Sequence, residues 1–172
     1  MPRIKLIYWD SSIFIAWLKD EKRPNSEMDG VHECVKDAEA GKIKLITSVI
    51  TRTEVFETNL SDDIKKLYAK LLNRRNVLLL DQDLRVSNLS REIREYYNLQ
   101  RQQDGLPGVT TPDAIHLATA IHYGAHAFYT FDDGKKGGRS LLSLNGNVAG
   151  HPLTICKPPI VQYRFHFNGD TG

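Results

Sequence analysis

The 172-residue sequence holds only two cysteines, Cys34 and Cys156, far apart and with no second pair. That scarcity excludes a disulfide framework and a thiolate metal site, and it leads us to expect a reducing, cytoplasmic setting. Long apolar runs are missing too. Nothing approaches the ~18 consecutive apolar residues of a membrane span, so no membrane role is expected. The opening MPRIKLIYWDSSIFIAWLK is interrupted by Asp10 and followed by no small-residue cleavage site, which argues against a signal peptide. Charge of one sign is not in excess. A formal net charge of +2 is too small for a protein that coats nucleic acid through bulk electrostatics, so any contact with RNA or DNA must be local. Internal repeats, low-complexity blocks and a Gly-x-Ser-x-Gly elbow are absent, and neither cysteine sits in a nucleophile motif.

What is present reads as a globular chain with a real core, 41% apolar and 26% charged. Ile4 to Trp9 is a run of strand formers that stops at Asp10, and Ile13, Phe14, Ala16, Trp17 and Leu18 then crowd one side of a helix. The same change from strand to helix recurs at KLITS (44–48) followed by 49–60, and at VLLL (77–80) followed by 84–99. Further strands are expected at AFYT (127–130) and LTIC (153–156), further helices at 27–40, 62–73 and 111–124, and loops at 100–108 and 132–150. Short strands alternating with helices imply a parallel sheet of four to five strands covered on both faces. One domain over residues 1–159 is expected. The tail 160–172 carries an alternating piece, Tyr163, Phe165 and Phe167, that could add an edge strand before a frayed end.

In an open parallel sheet the ligand crevice lies beyond the carboxyl ends of the strands. Asp10 follows the first strand directly, Asp132 follows the fourth by two residues, and Glu54 falls in the first turns of the helix after the second. Asp113 opens the helix of TTPDAIHLATA (110–120), whose start should lie over the same edge because a crossover helix runs back antiparallel to the strands. No His, Lys or Arg stands at those strand ends. Two unit charges ~4 Å apart repel by ~4 kcal/mol at an effective dielectric of ~20, so four gathered carboxylates call for a cation. All-oxygen ligands favour Mg²⁺ or Mn²⁺ over zinc.

Plainer readings stand beside this one. Thr51-x-x-Glu54 matches a capping box, Thr110-x-x-Asp113 a looser one, and Asp132 and Asp133 before Gly134 are turn chemistry. His116 could reach the cleft or simply bond at the helix–sheet junction. His122 and His126 have helical zinc spacing, but Tyr123 stands where a glutamate is needed. GKKGGRS (134–140) lacks the order of a phosphate loop. Its Lys135, Lys136 and Arg139 read either as RNA-backbone contacts or as a solvated loop. Arg52 either holds substrate or pairs with an acid.

With the four acids placed, the chain resembles the PIN-domain nucleases, and within them the small VapC-like toxins of toxin–antitoxin pairs. The matching elements are YWDSSIFIAWL around Asp10, ITSVITRTEVFE around Glu54, and TTPDAIHLATAIHYGAHAFYTFDD around Asp113 and Asp132. The resemblance implies a three-layer α/β/α sandwich, commonly dimeric, and a Mg²⁺- or Mn²⁺-dependent endoribonuclease held in check by an antitoxin. It implies Asp10, Glu54, Asp113 and Asp132 as the acidic quartet, with Asp10, Asp113 and Asp132 on the metal, Glu54 orienting a water, and Ser11 as a polar accessory. Thr130-Phe131-Asp132 matches the family's Thr-x-Asp pattern, which favours Asp132 over its rival Asp133 as the fourth acid. The loop from Asp133 to Gly150 and the tail are longer than the minimal pattern. Two other functions compete: a PIN-like module that binds RNA or protein without cutting, and phosphoryl transfer through an aspartyl intermediate, against which Ser12 stands where a second aspartate is needed.

Overall fold

The computed structural model describes residues 4–134 and 137–160. Five strands, β1 (Lys5–Trp9), β2 (Ile43–Ser48), β3 (Val77–Leu80), β4 (Ala127–Tyr129) and β5 (Ile155–Cys156), form one sheet in the order β3-β2-β1-β4-β5. Every neighbouring pair is parallel, with Ile7 opposite Leu45 and Ala127, Leu45 opposite Val77, and Phe128 opposite Ile155. The helices are α1 (Ser11–Leu18), α2 (Glu27–Glu39), α3 (Ile50–Phe56), α4 (Asp62–Leu72), α5 (Leu84–Asp104) and α6 (Thr111–His122). Among the described residues no helix is long and apolar enough to cross a membrane.

Alternation along the strands builds two cores. Ile7, Trp9 and Leu45 point to one face and pack with α1, α2 and α4, whose Phe14, Val31 and Tyr68 are fully buried. Tyr8, Ile46 and Phe128 point to the other and pack with Val86 and Ile93 of α5 and Leu117 of α6. This is the expected three-layer α/β/α sandwich. Trp9, Tyr8, Phe14 and Phe128 are completely enclosed, and burying an apolar side chain of this kind is worth about 1.5–3 kcal/mol.

Two segments differ from the sequence reading. α5 runs on through Gln100–Asp104, where a loop is expected, and stops only at Gly105, whose φ of 74° provides the left-handed cap. The stretch 132–150 is a loop as expected, but Leu141, Leu144 and Val148 anchor it in the second core. The alternating Tyr163, Phe165 and Phe167 lie outside the described residues.

The strand order positions the site. Connections from β1 lead to β2 and β3 on one side, and the chain then crosses back to lay β4 and β5 on the other. The carboxyl ends of β1 and β4 therefore flank the point where the order reverses, the place where such sheets open a crevice.

Candidate active site

Asp10 leaves β1 and caps α1, accepting the Ser11 backbone N–H at 2.8 Å. Its other oxygen takes the hydroxyls of Ser12 and Thr130, each at 2.8 Å, and the residue is only 4% exposed. The buried carboxylate thus has its lone pairs turned to fixed donors. Ser11 adds its hydroxyl at 3.4 Å. Thr130 also accepts the Asp132 N–H at 2.9 Å, so one threonine orients both strand-end acids. Asp132 in turn accepts from the backbone N–H groups of Gly134 and Leu141 at 3.0 and 3.3 Å. The turn chemistry expected there is real and coexists with a place in the cleft.

Asp113 lies at the start of α6, where Thr110 is the N-cap and the looser box expected there forms between side chains. Thr110 Oγ1 accepts the Asp113 N–H at 3.2 Å and donates to Asp113 Oδ2 at 2.5 Å. Asp10, Asp113, Asp132 and Asp133 line one open cleft of about 550 Å³, together with Ser11, Ser12 and Thr110. Burial raises the Asp113 carboxyl above the ordinary carboxylate value. The Thr110 bond opposes that rise, while the charges of Asp10 and Asp132 add to it.

Glu54 does not line that cleft. Its carboxylate lies 2.6 Å from His116 Nε2, and His116 stands 3.7 Å from Asp10. The capping-box alternative for Glu54 is not formed, because the N-cap of α3 is Val49, which has no side-chain cap, and the Thr51 hydroxyl is paired with Thr47 at 2.7 Å. His116 is fully buried, with Nδ1 2.7 Å from the Tyr8 hydroxyl, which accepts the Ser48 N–H at 3.0 Å. The helix–sheet bond expected for His116 therefore exists, and the same ring also joins two acids. Burial works to lower the imidazole's pKa, but Glu54, Asp10 and Asp113 together carry it above the ordinary value.

Among the described residues, no three His, Cys, Asp or Glu side chains close on one point as metal ligands do. Asp113 and Asp132 are turned toward Thr110 and toward the backbone of Gly134 and Leu141. The donor set itself is all carboxylate oxygen, and burial of Asp113 beside two like charges, only partly offset by His116, leaves an excess of negative charge that a hard divalent cation would relieve. The chemistry of the donor set suits such an ion, although the described side chains do not close on one point.

Arg52 is exposed on α3, 6.0 Å over the Phe56 ring, and does not line the cleft. Lys135 and Lys136 lie outside the described residues. Arg139 lines the cleft, with Nε on the Pro107 carbonyl at 2.8 Å and Nη1 on Gln100 Oε1 at 3.1 Å. Sequence reasoning missed Ser12 as a ligand of Asp10 and missed Arg23 and Phe131, which line the cleft. Ser12 carried a usable signal, a hydroxyl two residues past a capping aspartate. Arg23 carried none, since its place depends on a ring far away in the chain.

Compared with known proteins, residues 7–136 match the family described as the PIN domain. No curated protein matches by sequence. Among solved structures, a toxin–antitoxin complex from Klebsiella pneumoniae is 18% identical with a TM-score of 0.57, covering 90% of this chain and 99% of the other. VapBC2 from Rickettsia felis, bound to a DNA fragment from their promoter, is 14% identical with a TM-score of 0.56, covering 87% and 98%. FitAcB from Neisseria gonorrhoeae is 18% identical with a TM-score of 0.52, covering 88% and 97%. At these identities the likeness is one of fold.

Proposed function

The chain belongs to the PIN-domain family, and from that premise we propose that it is a metal-dependent endoribonuclease, the toxin of a toxin–antitoxin pair. The observation that carries the reading is the cleft at the reversal of strand order, which Asp10, Asp113 and Asp132 line and where the Asp113 carboxyl is raised by burial and by the other two. Asp10, Asp113 and Asp132 would hold Mg²⁺ or Mn²⁺. Such an ion supplies Lewis acidity to phosphoryl oxygens and lowers the pKa of water.

The chain's own residues divide the remaining work. Ser12 and Thr130 fix the Asp10 carboxylate as an acceptor that cannot swing away. Thr110 steadies Asp113. Glu54 acts at one remove, through His116, whose ring it shares with Asp10 and whose orientation Tyr8 sets from the other side. Ser11 and Asp133 are accessories at the mouth of the cleft. A cognate antitoxin and a homodimer are the partners in this reading; the antitoxin finds support in the solved neighbour from Klebsiella pneumoniae, a toxin–antitoxin complex. A cytoplasmic setting accords with two free thiols.

Incubation with total RNA and Mg²⁺ or Mn²⁺ tests the reading. Cleavage is expected, with loss on addition of chelator and a drop of about 100-fold or more in Asp10→Asn and Asp113→Asn, since even outer-shell changes at metal sites cost 10–100-fold. Full cleavage by those folded variants would reject it. The absence of a ready-made three-ligand cluster among the described residues favours a second reading, a module that binds RNA or protein without cutting. Calorimetric titration with Mn²⁺ separates the two, because only the nuclease requires a metal complex that Asp10→Asn and Asp113→Asn abolish.

A further inference from the structure

Two arginines line the acid cleft and are held differently. Arg139 has Nε and Nη1 committed to Pro107 and Gln100, and its guanidinium lies 4.7 Å from the Tyr97 ring centroid. It ties the loop that follows Asp132 to the segment leading into Asp113. Arg23, in the connection between α1 and α2, stacks 3.9 Å from the centroid of Phe131. Its Nε and Nη2 both donate to Glu21 Oε2, at 3.1 and 2.8 Å. Nη1 stands 4.0 Å from Glu27 Oε2, beyond hydrogen-bond reach, and Lys157 takes the other Glu27 oxygen at 2.5 Å. The Arg23 side chain remains 27% exposed.

Resting on the reading of this cleft as an RNA-cleaving site, we infer that Arg23 is its phosphate-holding residue, offering Nη1 to a phosphodiester of the bound strand. Four carboxylates line the cleft and repel an RNA strand, so a cation in the same cleft sets where a phosphate can settle. A guanidinium pinned by Glu21 and stacked on an aromatic ring has already lost much of its rotamer freedom, so less is lost when it binds. Its platform is also well placed. Phe131 lies between Thr130 and Asp132, so the backbone that aims Asp132 also sets the height of the guanidinium, and phosphate and acids keep a fixed spacing. Both arginines have two nitrogens on protein acceptors, but the remaining nitrogen of Arg139, Nη2, is buried away from solvent without a partner among the described residues, so Arg139 serves the wall of the cleft.

The test follows cleavage of a short labelled single-stranded RNA of mixed sequence, with Mn²⁺, over a range of salt concentrations. The full chain is compared with Arg23→Met, which keeps an apolar stem over Phe131, and with Arg23→Lys, which keeps the charge. Arg23→Met is expected to raise KM on the order of tenfold, the size of one charge-assisted hydrogen bond, with the loss falling mainly on KM. It should also flatten the slope of log(kcat/KM) against log[salt] by about 0.7, the share of one single-strand phosphate. Arg23→Lys should restore the slope. KM and slope equal to those of the unmodified chain in Arg23→Met overturn the assignment. So does a loss confined to kcat together with weaker Mn²⁺ binding by calorimetry, which would make Arg23 a partner of the acids. An unmodified chain that leaves the RNA uncut is a different outcome, and it sinks the nuclease reading first.

Discussion

Asp113 shows how one residue can serve a helix and burden the protein at once. It is the third helical residue of α6, its N–H capped by Thr110 and its carboxylate taking the Thr110 hydroxyl, an arrangement that by itself stabilises. Yet burial, with Asp10 and Asp132 nearby, raises its pKa. A folded chain that holds this proton more tightly than the unfolded one gains stability from protonation. That gain is fully present below the unfolded carboxylate value of about 3.9 and disappears as pH rises through the higher folded value. At neutral pH and without metal, ionised Asp113 is therefore a cost. Asp113→Asn, which keeps an acceptor for Thr110, should melt at a higher temperature than the unmodified chain in chelator at pH 7. The advantage should shrink on acidification toward pH 4. Melting curves across that range decide the matter: a variant no more stable at pH 7 would show that the charge is already relieved. Asp10, Asp113 and Asp132 were legible in the sequence because strand ends and helix starts declare where they fall. The place of Glu54 in the first turns of its helix was legible but not its bearing, because its side chain answers to His116, which only the packing of α6 on the sheet brings near.

At the scale of elements, α2 shows a constraint invisible in its own sequence. Gly30 sits inside this helix, where glycine costs up to about 1 kcal/mol relative to alanine, so propensity alone says that Gly30→Ala should stabilise. A Cβ there would lie 2.6 Å from the Pro158 carbonyl oxygen and 2.7 Å from that of Pro159. Those are backbone atoms, which cannot rotate away as a side chain can. Overpacking of this kind costs about 1–3 kcal/mol, so Gly30→Ala is expected to lower the denaturant midpoint. A raised midpoint would mean that the segment after β5 yields easily. The strands and most helices could be read from apolar period and turn residues alone. The last turns of α5 could not, since Gln100 to Asp104 are largely exposed and polar residues on a solvated helix carry no apolar period; only Gly105 marks the stop. The 132–150 loop was read as glycine-rich connection, and its leucines gained meaning only from the second core that they seal.

For the whole molecule, the parallel sheet stabilises a fold that gathers carboxylates at one edge. Hydrophobic burial on two faces holds Asp10 and Asp132 at neighbouring strand ends and brings Asp113 over them, whatever their mutual repulsion. The energy stored there is available to any ligand that supplies positive charge to the folded state alone. Linkage converts that into a measurable quantity: an ion at 100 times its dissociation constant adds about 2.7 kcal/mol of stability, or roughly 5–10 °C of Tm for a domain of this size. Mn²⁺ or Mg²⁺ should thus raise Tm by that order, while sodium chloride at matched ionic strength should not, because screening acts on exposed charges and the cleft acids are partly shielded. The rise should vanish in Asp10→Asn and in Asp113→Asn. In the second variant the order of stabilities would then reverse with conditions: more stable than the unmodified chain in chelator, less stable in saturating manganese. That crossing is a stronger test than loss of activity, because a damaged fold lowers both values and cannot produce it. If the two melting curves keep the same order in both buffers, the acids of the cleft do not share a cation, and the second reading, a binding surface without catalysis, takes precedence.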